Sequence, residues 1–175
     1  PFYHSADVLE LNAIDAEKYV PFVVGHFEAT NRHINASDVK RVYDLFNGHT
    51  FYIQKTFNES FADTREGEVC TLDTIRTAIN NIIASNDTIF REILSNIPEK
   101  QKELLYAIAK DGKAEQITSA EFIKRHRLTS ASSVQSATKK LLEKDIITER
   151  NKVYSLNDKL FAMWINKLYG NTTML

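Results

Sequence analysis

The stretch from Gln116 to Leu156, QITSAEFIKRHRLTSASSVQSATKKLLEKDIITERNKVYSL, restricts the fold more than any other part of the chain. Ser119 is a good N-cap for a short helix that carries Phe122 and Ile123 on one face. Leu128 and Thr129 fit a tight turn, and Ser130 or Ser132 can cap the next helix. In that helix Val134, Ala137, Leu141 and Leu142 make one apolar stripe, while Ser133, Gln135, Ser136, Lys139 and Lys140 face away. Ile146–Thr148 and Val153–Ser155 flank a polar segment with Asn151 in the turn, the signature of a β-hairpin. Helix, turn, helix and hairpin in this order predict a winged helix.

The chain has 175 residues, room for one domain or two small ones. Its formal net charge of -1 gives no global pull toward nucleic acid or a membrane surface. The local balance differs. Residues 113–152 hold nine Lys or Arg against five Asp or Glu, so a basic segment sits in an otherwise acidic chain. Cys70 stands alone, which excludes an internal disulfide and fits a reducing, cytoplasmic setting. No apolar run approaches the roughly 20 residues of a membrane-spanning helix. The sequence opens at Pro1 with neither an initiator Met nor a basic-then-apolar leader, so the expectation is a piece of a longer protein.

Residues before the stretch read as helices. Val8, Leu9, Leu11 and Ile14 show no decisive period. From Asp15 a helical pattern carries Tyr19, Phe22, Val23 and Phe27, with Pro21 suited to a first turn. Val39, Val42, Tyr43, Leu45 and Phe46 form the apolar face of the next, and Gly48 stands where a C-terminal cap glycine belongs. Thr50 to Ala62 carries Phe51, Ile53, Phe57 and Phe61. A charged loop from Asp63 to Cys70 follows, and Thr71 caps a long helix with a pause at Ser85–Asp87. Beyond the pause, Ile89, Phe90, Ile93, Leu94 and Ile97 continue the apolar stripe. Pro98 and Gly112 bracket one more helix, and Asp158 to Tyr169 forms the last. The predicted class is mainly α: a helical bundle over residues 1–96, then a winged-helix domain over 97–175 with a small β-hairpin.

Catalytic chemistry is missing from these residues. There is no phosphate loop and no glycine-rich dinucleotide turn. The five histidines lack an HExxH spacing, and one cysteine cannot build a cysteine-rich zinc site. Carboxylates occur singly on polar faces, and Ser132 and Ser133 have no neighbouring base, so capping suits them better than nucleophilic attack. The chain is expected to bind rather than catalyse, with no metal or cofactor of its own.

For binding, the polar face of the second winged-helix helix is the candidate. Ser133, Gln135, Ser136 and Lys139 would meet base edges of duplex DNA, and Lys140, Arg150 and Lys152 its phosphates. The competing reading is a protein-contact module, because the helix has no Arg, the commonest guanine reader. The run Lys124–Arg127 reads as a solvated helix end that complements the helix dipole. Phe51, Tyr52, Phe57, Phe61 and Trp164 read as core aromatics.

Five segments carry a family resemblance over most of the chain: PFYHSADVLEL (residues 1–11), FNGHTFYIQ (46–54), IPEKQKELLYAIAKDG (97–112), SSVQSATKKLLEKDIIT (132–148) and VYSLNDKLFAMWI (153–165). Together they resemble the C-terminal half of archaeal-type, STAND-like AAA+ ATPases. The resemblance implies a helical lid that closes over ATP, joined to a winged helix. It places Gly48, His49 and Thr50 at a motif near the adenine, with Thr50 where the family has proline. The phosphate loop and the acidic strand that holds Mg²⁺ would lie upstream, so ATP and Mg²⁺ belong to the full-length parent. The implied partners are that upstream core and either duplex DNA or a protein, with no membrane. Two other classes stay open: a stand-alone DNA-binding regulator with a helical sensing or dimerising domain, and a protein-interaction adaptor.

Overall fold

Helix-forming runs punctuated by polar caps give nine helices among the described residues of the computed structural model, residues 14–169. Val8, Leu9, Leu11 and the PFYHSADVLEL segment lie outside them. The fold is mainly α with two small sheets. The chain divides into two units between Ile79 and Asn80, inside one continuous helix.

The first unit runs α1 (Ala16–Glu28), β1 (His33–Ile34), α2 (Ala36–Leu45), α3 (Thr50–Ala62), β2 (Val69–Cys70) and the start of α4 (Leu72–Ser85). Asp15 caps α1 by accepting from the Glu17 amide at 3.1 Å. Pro21 lies in the interior of α1, not in its first turn. Tyr19, Val23 and Phe27 are its buried face, whereas Phe22 is 66% exposed. β1 and β2 pair in parallel, Ile34 opposite Cys70. Each enters a helix whose first inward apolar residue, Val39 or Ile75, is fully buried, so two strand–helix corners meet side by side. Asn47, at φ 50°, ends α2, with its amide on the Asp44 carbonyl and the Gly48 amide on that of Tyr43. The cap position expected for Gly48 therefore belongs to Asn47, whose side chain tolerates the left-handed conformation. In α3, Ile53 and Phe57 are buried, but Phe51 is 61% exposed and Phe61 half-buried under the Arg32 guanidinium at 4.4 Å. The expected all-core aromatic face is thus only partly inward.

The second unit contains the end of α4, then α5 (Asp87–Ser95), α6 (Glu99–Asp111), β3 (Ala114–Glu115), α7 (Ala120–His126), α8 (Ala131–Glu143), β4 (Ile147–Arg150), β5 (Val153–Leu156) and α9 (Lys159–Leu168). The strands form an antiparallel sheet ordered β3-β5-β4, with Ala114 opposite Tyr154 and Arg150 opposite Val153. Leu104, Leu105 and Ile108 of α6 are almost fully buried, as are Phe122 of α7, Leu141 of α8 and Ile165 of α9. Phe90 of α5 packs its ring against Phe161 and Trp164, at 5.3 and 5.7 Å between centroids. That aromatic cluster ties α5 into this unit, so packing divides the chain earlier than Asn96. Ile89 and Ile93, expected in the apolar stripe, are exposed because Phe90 takes the inward face of α5.

Candidate partner-contact surface

Local capping sets the angle at which α8 is presented. Ser119 Oγ accepts from the Phe122 amide at 3.2 Å and starts α7. Arg127, at φ 55°, ends it, and the Leu128 amide returns to the Ile123 carbonyl at 2.9 Å. Ser130 Oγ then accepts from the Ser133 amide at 3.2 Å, so Ser130 rather than Ser132 caps α8. Val134, Ala137, Thr138 and Leu141 point inward; the Thr138 hydroxyl donates to the Val134 carbonyl at 2.8 Å and is thereby satisfied.

The hairpin of β4 and β5 stands beside α8 as a wing. Its turn is two residues long, Asn151 and Lys152, both left-handed at φ 53° and 64°. This backbone matches the twist of the strands and favours Asn at the first position, but glycine rather than lysine at the second.

Between α8 and the wing lies an open groove of about 640 Å³ with mainly apolar walls. Gln135, Lys139, Leu142 and Glu143 line it from α8, and Glu149, Lys152 and Tyr154 from the wing. Gln116, Ile117 and Thr118, between β3 and α7, close one side.

The charges around the groove alternate. Lys140 pairs with Glu143 at 2.7 Å, and that hydrogen bond holds the Glu143 carboxyl below its ordinary range. Glu149 sits opposite Tyr154 in the ladder; burial, then the nearby Glu149 charge, push the Tyr154 hydroxyl up. Lys139 and Lys152 form no ion pair among the described residues.

Of the seven residues proposed from sequence for nucleic acid, the structure brings Gln135, Lys139 and Lys152 together around this groove. Ser136, Lys140 and Arg150 are exposed but do not line it, and Ser133 is half-buried with its amide used in the cap. Within the Lys124–Arg127 run, Asp111 binds Arg125 at 2.7 Å and the His126 ring at 3.1 Å. Half of that run therefore pins α7 to the end of α6 instead of lying free in solvent.

Sequence reasoning missed Ile117, Leu142, Glu149 and Tyr154 as groove residues. One signal was present: adjacent Leu141 and Leu142 lie about 100° apart around a helix, so they need not share one core as Leu104 and Leu105 do. Leu141 is fully buried and Leu142 turns into the groove.

In the first unit, Gly48 is buried at φ 74°, and the amides of Gly48 and His49 are committed to the carbonyls of Tyr43 and Phe46. His49 is exposed just before α3, its ring stacked on Tyr52 at 4.4 Å, and Thr50 opens the helix. The stacked imidazole is the part of this segment that a base could meet. Among the described residues no group of three or more His, Cys, Asp or Glu could hold a metal ion, and no helix is long and apolar enough to cross a membrane.

The order α6-β3-α7-α8-β4-β5, with the wing hairpin closing the sheet, is the winged-helix topology. Residues 88–167 match a family model described as a probable winged helix domain. No curated protein and no solved structure matches the chain. The match begins within α5 and ends in α9, so the winged helix includes the two helices joined by the Phe90–Phe161–Trp164 cluster. Winged-helix domains commonly bind DNA or protein, and here α8 and the wing flank the groove.

Proposed function

We propose that this chain is the lid and output arm of a nucleotide switch, and that its winged helix contacts a protein partner. One observation carries the choice of partner: the groove between α8 and the wing is mainly apolar, with half-buried Leu142 and Tyr154 in its lining, and the exposed carboxylates Glu143 and Glu149 line it too. A duplex seated on α8 would place a continuous line of phosphates near both carboxylates, against the charge neutralisation that dominates DNA affinity. A protein surface can bury the apolar lining and answer each charge singly.

The switch part rests on the resemblance to STAND-like AAA+ ATPases. In it the first unit acts as the lid, with His49 beside the base. ATP and Mg²⁺ are held by an upstream core, and this chain supplies no catalytic group. Lid closure then biases where the winged helix is presented, a rigid-body mechanism.

Duplex DNA is the second reading, favoured by one feature: Gln135, Ser136 and Lys139 point outward with no side-chain hydrogen bond among the described residues. The two readings separate in a salt titration. The chain is expected to show no duplex binding at physiological ionic strength. Salt-dependent binding that weakens in a Lys139→Ala/Lys140→Ala variant overturns the protein reading in favour of DNA. For the switch, hydrogen exchange on the product of the full reading frame should differ at residues 48–50 between ATP and ADP. Identical exchange in the two states sinks it.

A further inference from the structure

We infer that the groove between α8 and the wing docks an extended segment of a partner protein through one apolar side chain with a carboxylate beside it. This rests on the protein-contact reading above and names the chemistry of the contact. The volume, about 640 Å³, accommodates an aromatic or large aliphatic side chain together with its flanking backbone. Leu142, half-exposed on an otherwise polar flank of α8, and the Tyr154 ring on β5 form the apolar floor. Burying such a floor is what gives a peptide anchor its affinity.

The rim selects the neighbouring charge. Glu143 is already engaged by Lys140, and Glu149 is set against Tyr154. Lys139 and Lys152 are the two groove cations with no ion pair among the described residues, one on each wall. A single carboxylate next to the anchor meets these lysines, whereas a uniform polyanion would also meet Glu143 and Glu149. Charge complementarity of this discrete kind sets register and specificity more than raw affinity. Gln135 and Thr118, at the groove edges, offer side-chain donors and acceptors to an extended backbone.

The test is an NMR titration of the chain with a synthetic peptide carrying one tryptophan next to one glutamate in a neutral background. Expected are shifts confined to the groove residues Thr118, Gln135, Lys139, Leu142, Lys152 and Tyr154, and about tenfold weaker binding by a Lys139→Glu/Lys152→Glu variant. Replacing the tryptophan by serine should abolish the shifts, and replacing the glutamate by lysine should weaken them. Shifts that map elsewhere, indifference to the charge reversal, or no shifts up to the solubility limit overturn the inference. A duplex titrated separately tests the underlying reading. If DNA shifts these amides and the peptide does not, both fall; if neither ligand acts, only the groove chemistry falls.

Discussion

The indole Nε1–H of Trp164 on α9 donates to Asp87 Oδ1 in the first turn of α5 at 2.8 Å. Arg91 binds the other carboxylate oxygen at 2.7 Å and lies over the indole at 5.7 Å. One carboxylate thus orients both a buried aromatic ring and the cation that covers it.

Trp164 is buried against Phe90 and Phe161, so Trp164→Ala should destabilise the second unit by about 3–5 kcal/mol, the usual range for emptying an aromatic core site. Trp164→Phe keeps most of the ring contacts and loses the hydrogen bond to Asp87. Its urea midpoint should fall between those of the parent and the alanine variant. A midpoint equal to the parent's would mean that the bond contributes nothing.

The Asp87 carboxyl is held below its ordinary value of 3.8 by hydrogen bonds from Arg91 and then Trp164. A carboxylate with a depressed folded-state pKa stabilises the fold above its ordinary value, and that contribution is lost as pH falls through the lower value. Asp87→Asn should therefore lower the melting temperature at neutral pH. The gap between variant and parent should close below pH 3.8, as the parent's carboxylate is protonated. A gap independent of pH would show that the effect is steric.

Much of this architecture was legible in the residues. Ser119 and Thr71 act as the caps their positions announce, because a cap needs only a short side chain and its own helix, and Asp158, expected as the first residue of the last helix, caps it. The wing was visible as two β-branched runs around Asn151. β1, β2 and β3 were not, since two-residue strands exist only through a partner distant in sequence and leave no period to read. The groove escaped for the same reason. Leu142, Tyr154 and Lys152 come together only once the hairpin stands beside α8, so periodicity assigned Leu142 to the core. Phe51 was overassigned to the core because helical spacing does not say how wide the buried face is.

Cys70 has no exposed surface, and burial pushes its thiol above the ordinary value of 9.0, opposed by a hydrogen bond with Thr64 and assisted by the charge of Asp38. Iodoacetamide should label the native chain roughly a hundredfold or more slowly than the urea-unfolded chain, because reaction waits on opening of the first unit. The raised pKa also has a sign. Stability from the neutral thiol is fully present below pH 9.0 and declines above it, where the unfolded state ionises first. Cys70→Ala should flatten part of that alkaline loss in a melting-temperature series. Rapid native labelling would show that the β1–β2 corner opens freely.

Lys152 occupies the second position of the wing turn at φ 64°, where a side chain with a Cβ is strained and glycine is not. Lys152→Gly should relieve that strain. The gain is partly offset by the greater freedom of glycine in the unfolded chain, leaving a net stabilisation of roughly 0.5 kcal/mol. The same change deletes one of the two groove cations without an ion pair, so affinity for the tryptophan–glutamate peptide should fall several-fold while the fold becomes firmer. Lys152→Asn, which tolerates the left-handed backbone, should also lose affinity. Thermal melts paired with peptide titrations separate the two effects. If Lys152→Gly stabilises the wing and leaves binding unchanged, the lysine is not a contact residue; if it destabilises the wing, its aliphatic stem is packing on the hairpin, and the strain argument fails.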